Sequence, residues 1–248
     1  MTAPHRSSDA PRPLPVALAY DLSAPFYDGW SWQSFWREHE FPWVRETLAR
    51  FGRGRSAALK LLDVGCGTGW YLEQLQPLYR EAAGIDLSPG MLVVARHRLA
   101  RTLLEQADAR SIPFPPRRFD VVISTRVLSH LPNVEPAIRE MRRVLAPGGL
   151  LLLSDVDAGH DYMHTRLPVE GRNIPADTFK HERERLFTTI EKAGFVPDSA
   201  CLIQIDGDVR PLGRRRSAQG VPPVAGWIGA WRRAMNDGDI GESPRPWR

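Results

Sequence analysis

From residue 59 onward the chain alternates two hydrophobic patterns. Short apolar runs closed by glycine or a polar residue, "LKLLDVG" (59–65), "EAAGIDLS" (81–88), "TLLEQAD" (102–108), "RFDVVIST" (118–125) and "GGLLLLSDV" (148–156), read as strands buried on both faces. Between them, "GWYLEQLQPLY" (69–79), "SPGMLVVARHRLA" (88–100) and "NVEPAIREMRRVL" (133–145) have helical spacing, and the second opens with Ser88 as N-cap and Pro89 at the first helical position. After an irregular segment, 157–177, come a helix in "DTFKHERERLFTTIEKAGF" (177–195), a strand in "SACLIQID" (199–206), a basic loop over 207–222 and a last strand near "VAGWIGAWR" (224–232). Upstream, "PWVRETLARF" (42–51) predicts a helix. The alternation predicts an α/β fold: a doubly wound, mostly parallel, seven-stranded sheet with an N-terminal helical cap.

No clean linker divides the chain. The expected organisation is a disordered tail over 1–15, one domain over 16–235, and a flexible tail over 236–248. Within the domain, 16–52 forms the cap and 157–177 an insertion after the fifth strand. A length of 248 residues fits one such domain with appendages. The net charge of +4 is almost entirely arginine, since lysine occurs only at 60, 180 and 192. That balance permits nucleic-acid binding without arguing for it. Two cysteines, Cys66 and Cys201, are too few for a disulfide framework or a cysteine-based zinc site, so the chain reads as cytoplasmic. The first fifteen residues lack the apolar core of a secretory signal, and no apolar run is long enough to span a bilayer.

The strongest chemical signal is "LLDVGCGTGW". Gly65, Gly67 and Gly69 follow a buried strand and lead into a helix, which allows a tight turn and a close approach of ligand to bare backbone. The G-x-G-x-G spacing differs from the dinucleotide G-x-G-x-x-G. Asp63 stands two residues ahead, where a pyrophosphate would be repelled and a cationic sulfonium tolerated. Asp86 ends the second strand, a position suited to accept ribose hydroxyls. Asp108 follows the third strand and could accept from an adenine amino group. Asp120 opens the fourth strand. Turn chemistry and capping are the alternative for these last two.

This ordered set resembles the class I S-adenosylmethionine-dependent methyltransferases, in their small-molecule branch of the ubiquinone- and menaquinone-biosynthesis type. The resembling stretches are "LLDVGCGTGWYLEQL", "GIDLSPGMLVVAR", "ADARSIPF", "FDVVISTRVLSHL" and "REMRRVLAPGGLLLLSD", over about residues 59–155. The resemblance implies a Rossmann-like sheet and S-adenosyl-L-methionine as cofactor. It implies a glycine loop (Gly65, Gly67, Gly69, with Asp63 and Cys66) at the methionine part. It places Asp86, with Leu87, at the ribose, Asp108 and Ala109 beside the adenine, and Met91 as the apolar contact. Ser124 completes the expected cofactor set. Cys66 is read as a small packing residue rather than a nucleophile.

The stretch "YDLSAPFYDGWSWQSFW" (20–36) is dense in rings. In the resembling family a "Y…A..YD" segment folds over the cofactor, and Tyr20, Ala24, Tyr27 and Asp28 match it. Aromatic faces suit a methyl sulfonium because they stabilise a cation without reacting with it. Tyr20 and Tyr27 are therefore expected at the methyl-donor pocket, and Trp30, Trp32 and Trp36 at an acceptor pocket for a flat or apolar molecule. The competing reading makes Phe35, Trp36, Phe41 and Trp43 docking rings, and a third makes the stretch a homodimer surface. The cap is expected to be a mobile closure, so that a chain lacking residues 1–45 folds but loses activity.

Methyl transfer needs a base only where the acceptor must shed a proton early. His130, after the fourth strand, is a base candidate or a packing histidine. His160 and His164 lie beside Asp155, Asp157 and Asp161 and are base or substrate-contact candidates, while Tyr27 is a further catalytic candidate. Glycine and aspartate content argues against the helix that an H-x-x-x-H metal site would need, so no metal is expected. His97 is expected on an exposed face, and His181 either faces the cleft or stands at a solvated helix start.

The function expected is methyl transfer to a small aromatic or apolar acceptor through N, C or O, in secondary metabolism. The alternatives are an RNA methyltransferase, suggested by "VRPLGRRRS" (209–217) but lacking an RNA-binding module, and a non-catalytic S-adenosylmethionine-binding protein. A dehydrogenase is disfavoured by the glycine spacing. The partners expected are a small-molecule acceptor, no membrane, and a second copy of the chain in a homodimer.

Overall fold

A computed structural model describes residues 12–160, 164–212 and 223–235. Residues 1–11, the tail 236–248 and most of the basic loop, 213–222, lie outside the described residues, as does Asp161.

Five parallel strands, β1 (Lys60–Val64), β2 (Glu81–Asp86), β3 (Leu103–Gln106), β4 (Phe119–Thr125) and β5 (Leu145–Val156), form the first part of the sheet. β10 (Val224–Arg233) pairs antiparallel with both β5 and β8 (Phe195–Gln204), and β9 (Val209–Pro211) closes the edge. The order is β3-β2-β1-β4-β5-β10-β8-β9. The sheet thus has eight strands rather than seven. The extra one is three residues long and lies in the stretch read as loop, too short and too charged to show a strand period.

The central strands β1, β4 and β5 are buried on both faces, and alternate side chains enter separate cores. Leu62, Val64, Val122, Leu151 and Leu153 face one way. There they meet Ile138 and Met141 of α6 (Glu135–Val144) and Phe187 and Ile190 of α7 (Arg183–Lys192). Leu61, Val121, Ile123, Leu150 and Leu152 face the other way. They pack with Val44 and Leu48 of α3 (Phe41–Phe51), Leu72 and Leu75 of α4 (Trp70–Leu75), and Leu92 and Ala95 of α5 (Pro89–Arg98). Full burial of each such side chain stabilises the fold by about 1.5–3 kcal/mol. Ser88 caps α5, its hydroxyl accepting from Met91 N at 3.0 Å, as the Ser-Pro start predicts.

Two segments differ from the sequence expectation. The insertion is ordered in part: β6 (Thr165–Val169) and β7 (Arg172–Ala176) form an antiparallel hairpin. Its signal was hidden because both strands carry proline and a single glycine serves the turn. The helix expected over 177–195 begins only at Arg183. Its lead-in is tied elsewhere: Phe179 N donates to Ser129 O at 2.7 Å, and His181 Nε2 donates to Leu131 O at 2.8 Å. His181 is therefore a tether between this lead-in and the turn after β4, not a solvated helix start.

The cap is docked on the domain. It comprises α1 (Val16–Ser23), a short turn at Tyr27–Gly29, α2 (Ser31–His39) and α3. Asp21 Oδ1 accepts from Gly90 N at 2.8 Å and Ser88 Oγ at 2.5 Å, pinning α1 to the start of α5. Asp28 accepts from Thr68 Oγ1 at 2.9 Å, Arg98 Nη2 at 2.8 Å and Arg37 Nη2 at 2.5 Å. Trp36 is buried against Gly226 of β10. Deleting residues 1–45 would remove this indole and Val44 from the core, which weighs against the expectation that such a chain folds. Of the seven rings in 20–36 only Phe26 is exposed; the others are half-buried or, for Trp36, buried. Among the described residues no helix is long and apolar enough to cross a membrane.

Candidate active site

The carboxyl edge of the parallel strands is where an open α/β sheet leaves a crevice. The loop after β1 turns there on glycine. Gly65 has φ +77°, and a Cβ at this position would lie 2.2 Å from Val127 Cγ2. Gly67 has φ +54°, and its Cβ would meet only Tyr27 Cε1, at 3.9 Å, so its bare backbone borders open space. The loop is latched to the next strand: Gly65 N donates to Ile85 O at 2.8 Å and Gly67 N to Asp86 Oδ2 at 2.7 Å. Asp86 Oδ1 accepts from Ser88 N at 2.9 Å. Burial pushes the Asp86 carboxyl up to about 6, although the Ser88 and Gly67 amides oppose it.

A cavity of about 300 Å³ opens over this loop. Tyr20, Gly65, Gly67, Asp86, Leu87, Asp108 and Ala109 of the expected cofactor set line it. The other five stand behind the wall. Asp63 is buried within β1, where burial and the Asp86 charge push its carboxyl up to about 8. Cys66 is buried, its thiol pushed well up by burial. Gly69 caps α4 with φ +79°. Met91 is fully buried in α5, and Ser124 is buried, donating to Val64 O at 2.8 Å. The Asp63 carboxylate does not sit at the loop mouth, and Met91 does not reach the cavity, because each points from its element into packed core. The Asp108 carboxylate is held by Arg110, with Nη2 to Oδ2 at 2.6 Å and Nε to Oδ1 at 2.9 Å, and these bonds keep it below the usual range. This is the turn chemistry weighed as the alternative. Asp120 likewise ties strand starts, accepting from Lys60 N at 2.9 Å.

A second cavity, about 330 Å³, adjoins the first. Trp30, Trp32, Trp36, His160 and His164 line it, together with Arg166 and Asn173 of the hairpin. Four residues line both cavities: Tyr20, Tyr27, Arg126 and His130. Tyr20 Oη lies 2.8 Å from His130 Nε2, and His130 Nδ1 lies 2.8 Å from Asp177 O. A carbonyl can only accept, so Nδ1 carries the proton and Nε2 accepts from the phenol. Burial lowers the His130 pKa, against the carbonyl of Asp177 and the charge of Asp155, and keeps the imidazole neutral near pH 7. Burial, with Tyr27 and Asp86 nearby, holds the Tyr20 phenol well above its ordinary range. Burial also raises Tyr27.

Arg126 and Asp177 were missed by sequence reasoning. Arg126 has φ +58°, a left-handed conformation uncommon for a residue with a side chain and a frequent mark of functional loops. Its Nη1 lies 2.5 Å from Glu40 Oε1, which also accepts from Tyr71 Oη at 2.5 Å. Burial works against the Arg126 charge, but Glu40, Tyr71 and Tyr27 more than restore it and raise its pKa. The position just after β4 was the available signal. Asp177 acts through its carbonyl, which no side-chain pattern reports. His97 is exposed on α5.

Residues 62–153 match the family model described as a methyltransferase domain. The malonyl-[acyl-carrier protein] O-methyltransferase of Serratia marcescens is 36% identical over 144 residues, 58% of this chain and 53% of that protein. The trans-aconitate 2-methyltransferase of Methylobacterium nodulans is 42% identical over 105 residues, 41% of this chain and 40% of that protein. The chain thus spans about half the length, or less, of these curated relatives. A solved S-adenosylmethionine-dependent methyltransferase from Mesorhizobium loti shares the fold with a TM-score of 0.59 at 19% identity, over 79% of this chain and 98% of that one. Residues 62–153 thus form a methyltransferase domain, and the chain is similar to S-adenosylmethionine-dependent methyltransferases, as its glycine loop and ordered carboxylates led us to expect.

Proposed function

We propose that the protein transfers a methyl group from S-adenosylmethionine, held over the glycine loop, to a small molecule held in the neighbouring aromatic cavity. The observation that carries this reading is the shared wall: Tyr20, Tyr27, Arg126 and His130 border both cavities, so two ligands would meet there. The relatives' names, both those of methyltransferases, support the reaction type.

The loop fits the cofactor. Gly67 leaves a cradle that any side chain would fill, and Asp86 keeps lone pairs beyond the two amides it already accepts. In this reading Gly65 and Gly67 approach the methionine part, Asp86 holds the ribose, and Leu87 and Ala109 flank the base. The cofactor when bound supplies an electrophilic methyl on sulfur. The chain's own residues align, exclude water and move a proton. Tyr20 and Tyr27, which line both cavities, would offer that methyl polarisable, weakly nucleophilic surfaces. Where the acceptor carries an acidic proton, Tyr20 Oη takes it while passing its own to His130 Nε2, and the Asp177 carbonyl steadies the imidazolium through Nδ1. His160, His164, Trp30 and Trp32 contact the acceptor, and a cavity of this size suits a small molecule rather than RNA.

Calorimetry tests the reading. S-adenosylhomocysteine is expected to bind and NAD is not; NAD binding without any response to S-adenosylhomocysteine would overturn it. Cofactor binding with no transfer to any of a panel of phenols, amines and acids would favour the non-catalytic alternative.

A further inference from the structure

The acceptor cavity has a charge and shape that select among small molecules. We infer, resting on the methyl-transfer reading above, that its acceptor is a hydroxyaryl carboxylic acid, bound by its carboxylate at Arg166 and methylated at its ring hydroxyl.

The cavity carries no acid among its described lining residues, but it carries two arginines and three histidines. The two arginines are not equivalent. Arg126 is neutralised by the buried Glu40, 2.5 Å away. Arg166, on β6, forms no ion pair or hydrogen bond among the described residues and is exposed. It lines the acceptor cavity and is not among the residues that line both. A guanidinium fork unpaired among the described residues, in the wall of a concave site, matches a carboxylate, whose two oxygens accept its parallel N–H bonds. Asn173, on the paired strand β7, adds amide donors at the same hairpin.

The rest of the cavity accommodates an aromatic body. Trp30 and Trp32 supply ring faces, and Trp32 is itself fixed by stacking on Trp36 at 5.7 Å. His164 Nδ1 is buried with no partner among the described residues, a polar atom left for a ring substituent. Tyr20 and His130, unlike Arg166, line both cavities. In this inference the nucleophile sits at that shared wall while Arg166 holds the carboxylate, so the methylated group is not the acid. The proton path at that wall suits a phenol. The phenol oxygen forms a bond to the methyl carbon while the methyl–sulfur bond breaks, its electron pair staying on sulfur. The phenolic proton goes to Tyr20 Oη, and the Tyr20 proton goes to His130 Nε2.

The test is binding, read from tryptophan fluorescence on the full chain saturated with S-adenosylhomocysteine. The probes are 4-hydroxybenzoate, its neutral isostere 4-hydroxybenzamide and the cation 4-hydroxybenzylamine. The benzoate is expected to bind about tenfold tighter than the amide, with the amine weakest. Arg166→Gln should bring benzoate to the affinity of the amide, leave the amide unchanged, and leave S-adenosylhomocysteine affinity unchanged; Arg166→Lys should restore part of the preference. Amine binding equal to or tighter than benzoate, an undiminished preference in Arg166→Gln, or no binding of any probe at millimolar concentration would overturn the inference. Absence of S-adenosylhomocysteine binding would instead bring down the methyl-transfer reading itself.

Discussion

The phenol of Tyr20, in the first helix, donates to Nε2 of His130, in the turn after β4, across 2.8 Å and 110 residues of chain. This bond joins the cap to the carboxyl edge of the sheet at the wall between the two cavities. It also sets the histidine's tautomer, because the other ring nitrogen faces the Asp177 carbonyl.

Tyr20→Phe keeps the ring and removes the relay. Transfer to a phenolic acceptor is expected to fall roughly 10²–10⁴-fold in kcat, the usual contribution of a positioned acid–base group. S-adenosylhomocysteine affinity should change little. The ¹⁵N shifts of His130 in labelled wild-type protein should report a neutral Nδ1–H imidazole at pH 7. An imidazolium there would refute the assigned proton arrangement.

Asp86 must be ionised to serve as a ribose acceptor, and its carboxyl titrates at about 6. Cofactor affinity should therefore hold above that pH and decline as pH falls through it, approaching tenfold per pH unit. Asp86→Asn should weaken S-adenosylhomocysteine binding by about ten- to a hundredfold, as expected for losing a charge-assisted bond of roughly 1.5–3 kcal/mol. It should also flatten the pH dependence, which calorimetry at pH 5 to 8 would measure.

Glu40→Ala strands the buried Arg126 without its counter-charge and takes an acceptor from Tyr71. Breaking such a pair costs about 3–5 kcal/mol. For a chain of this size that lowers Tm by roughly 6–20 °C, measurable by scanning calorimetry. A chain lacking residues 1–45 should fail to fold, since it loses Glu40 and Trp36 together; a cooperative unfolding transition from that fragment would refute the account of the cap.

Asp63 has a folded-state pKa of about 8 against an unfolded value of about 3.9. Between those values the folded chain keeps a proton that the unfolded chain releases. Its contribution is fully present below about pH 4 and is lost, by about 1.4 kcal/mol per unit, as pH rises to about 8. Asp63→Asn, with no proton to lose, should gain stability relative to wild type as pH rises from 5.5 to 8.5; equal Tm differences at both ends would contradict this.

What the sequence by itself determined was whatever depends on near neighbours along the chain. The double-sided strands, the Ser88-Pro89 helix start and the glycine loop are local: each needs only backbone geometry and the period of apolar residues. The carboxylate at Asp86 was legible for the same reason, since it lies two residues from the cap it serves and at the end of the strand beside the loop. The tertiary structure alone decided which of these reach the ligand. Asp63 and Met91 sit in suitable stretches but point into the core, because a strand or helix side chain follows its element's face. Arg126 and Glu40, 86 residues apart, and Tyr20 and His130, 110 apart, become partners only when the cap closes on the sheet. The hairpin that brings Arg166 and Asn173 to the acceptor cavity is held in place by Leu14, which bridges to its Ala176, and by Ala19, which packs on its Leu167 and Ala176. Such contacts have no sequence period, because their spacing is set by where the chain returns and not by how it advances.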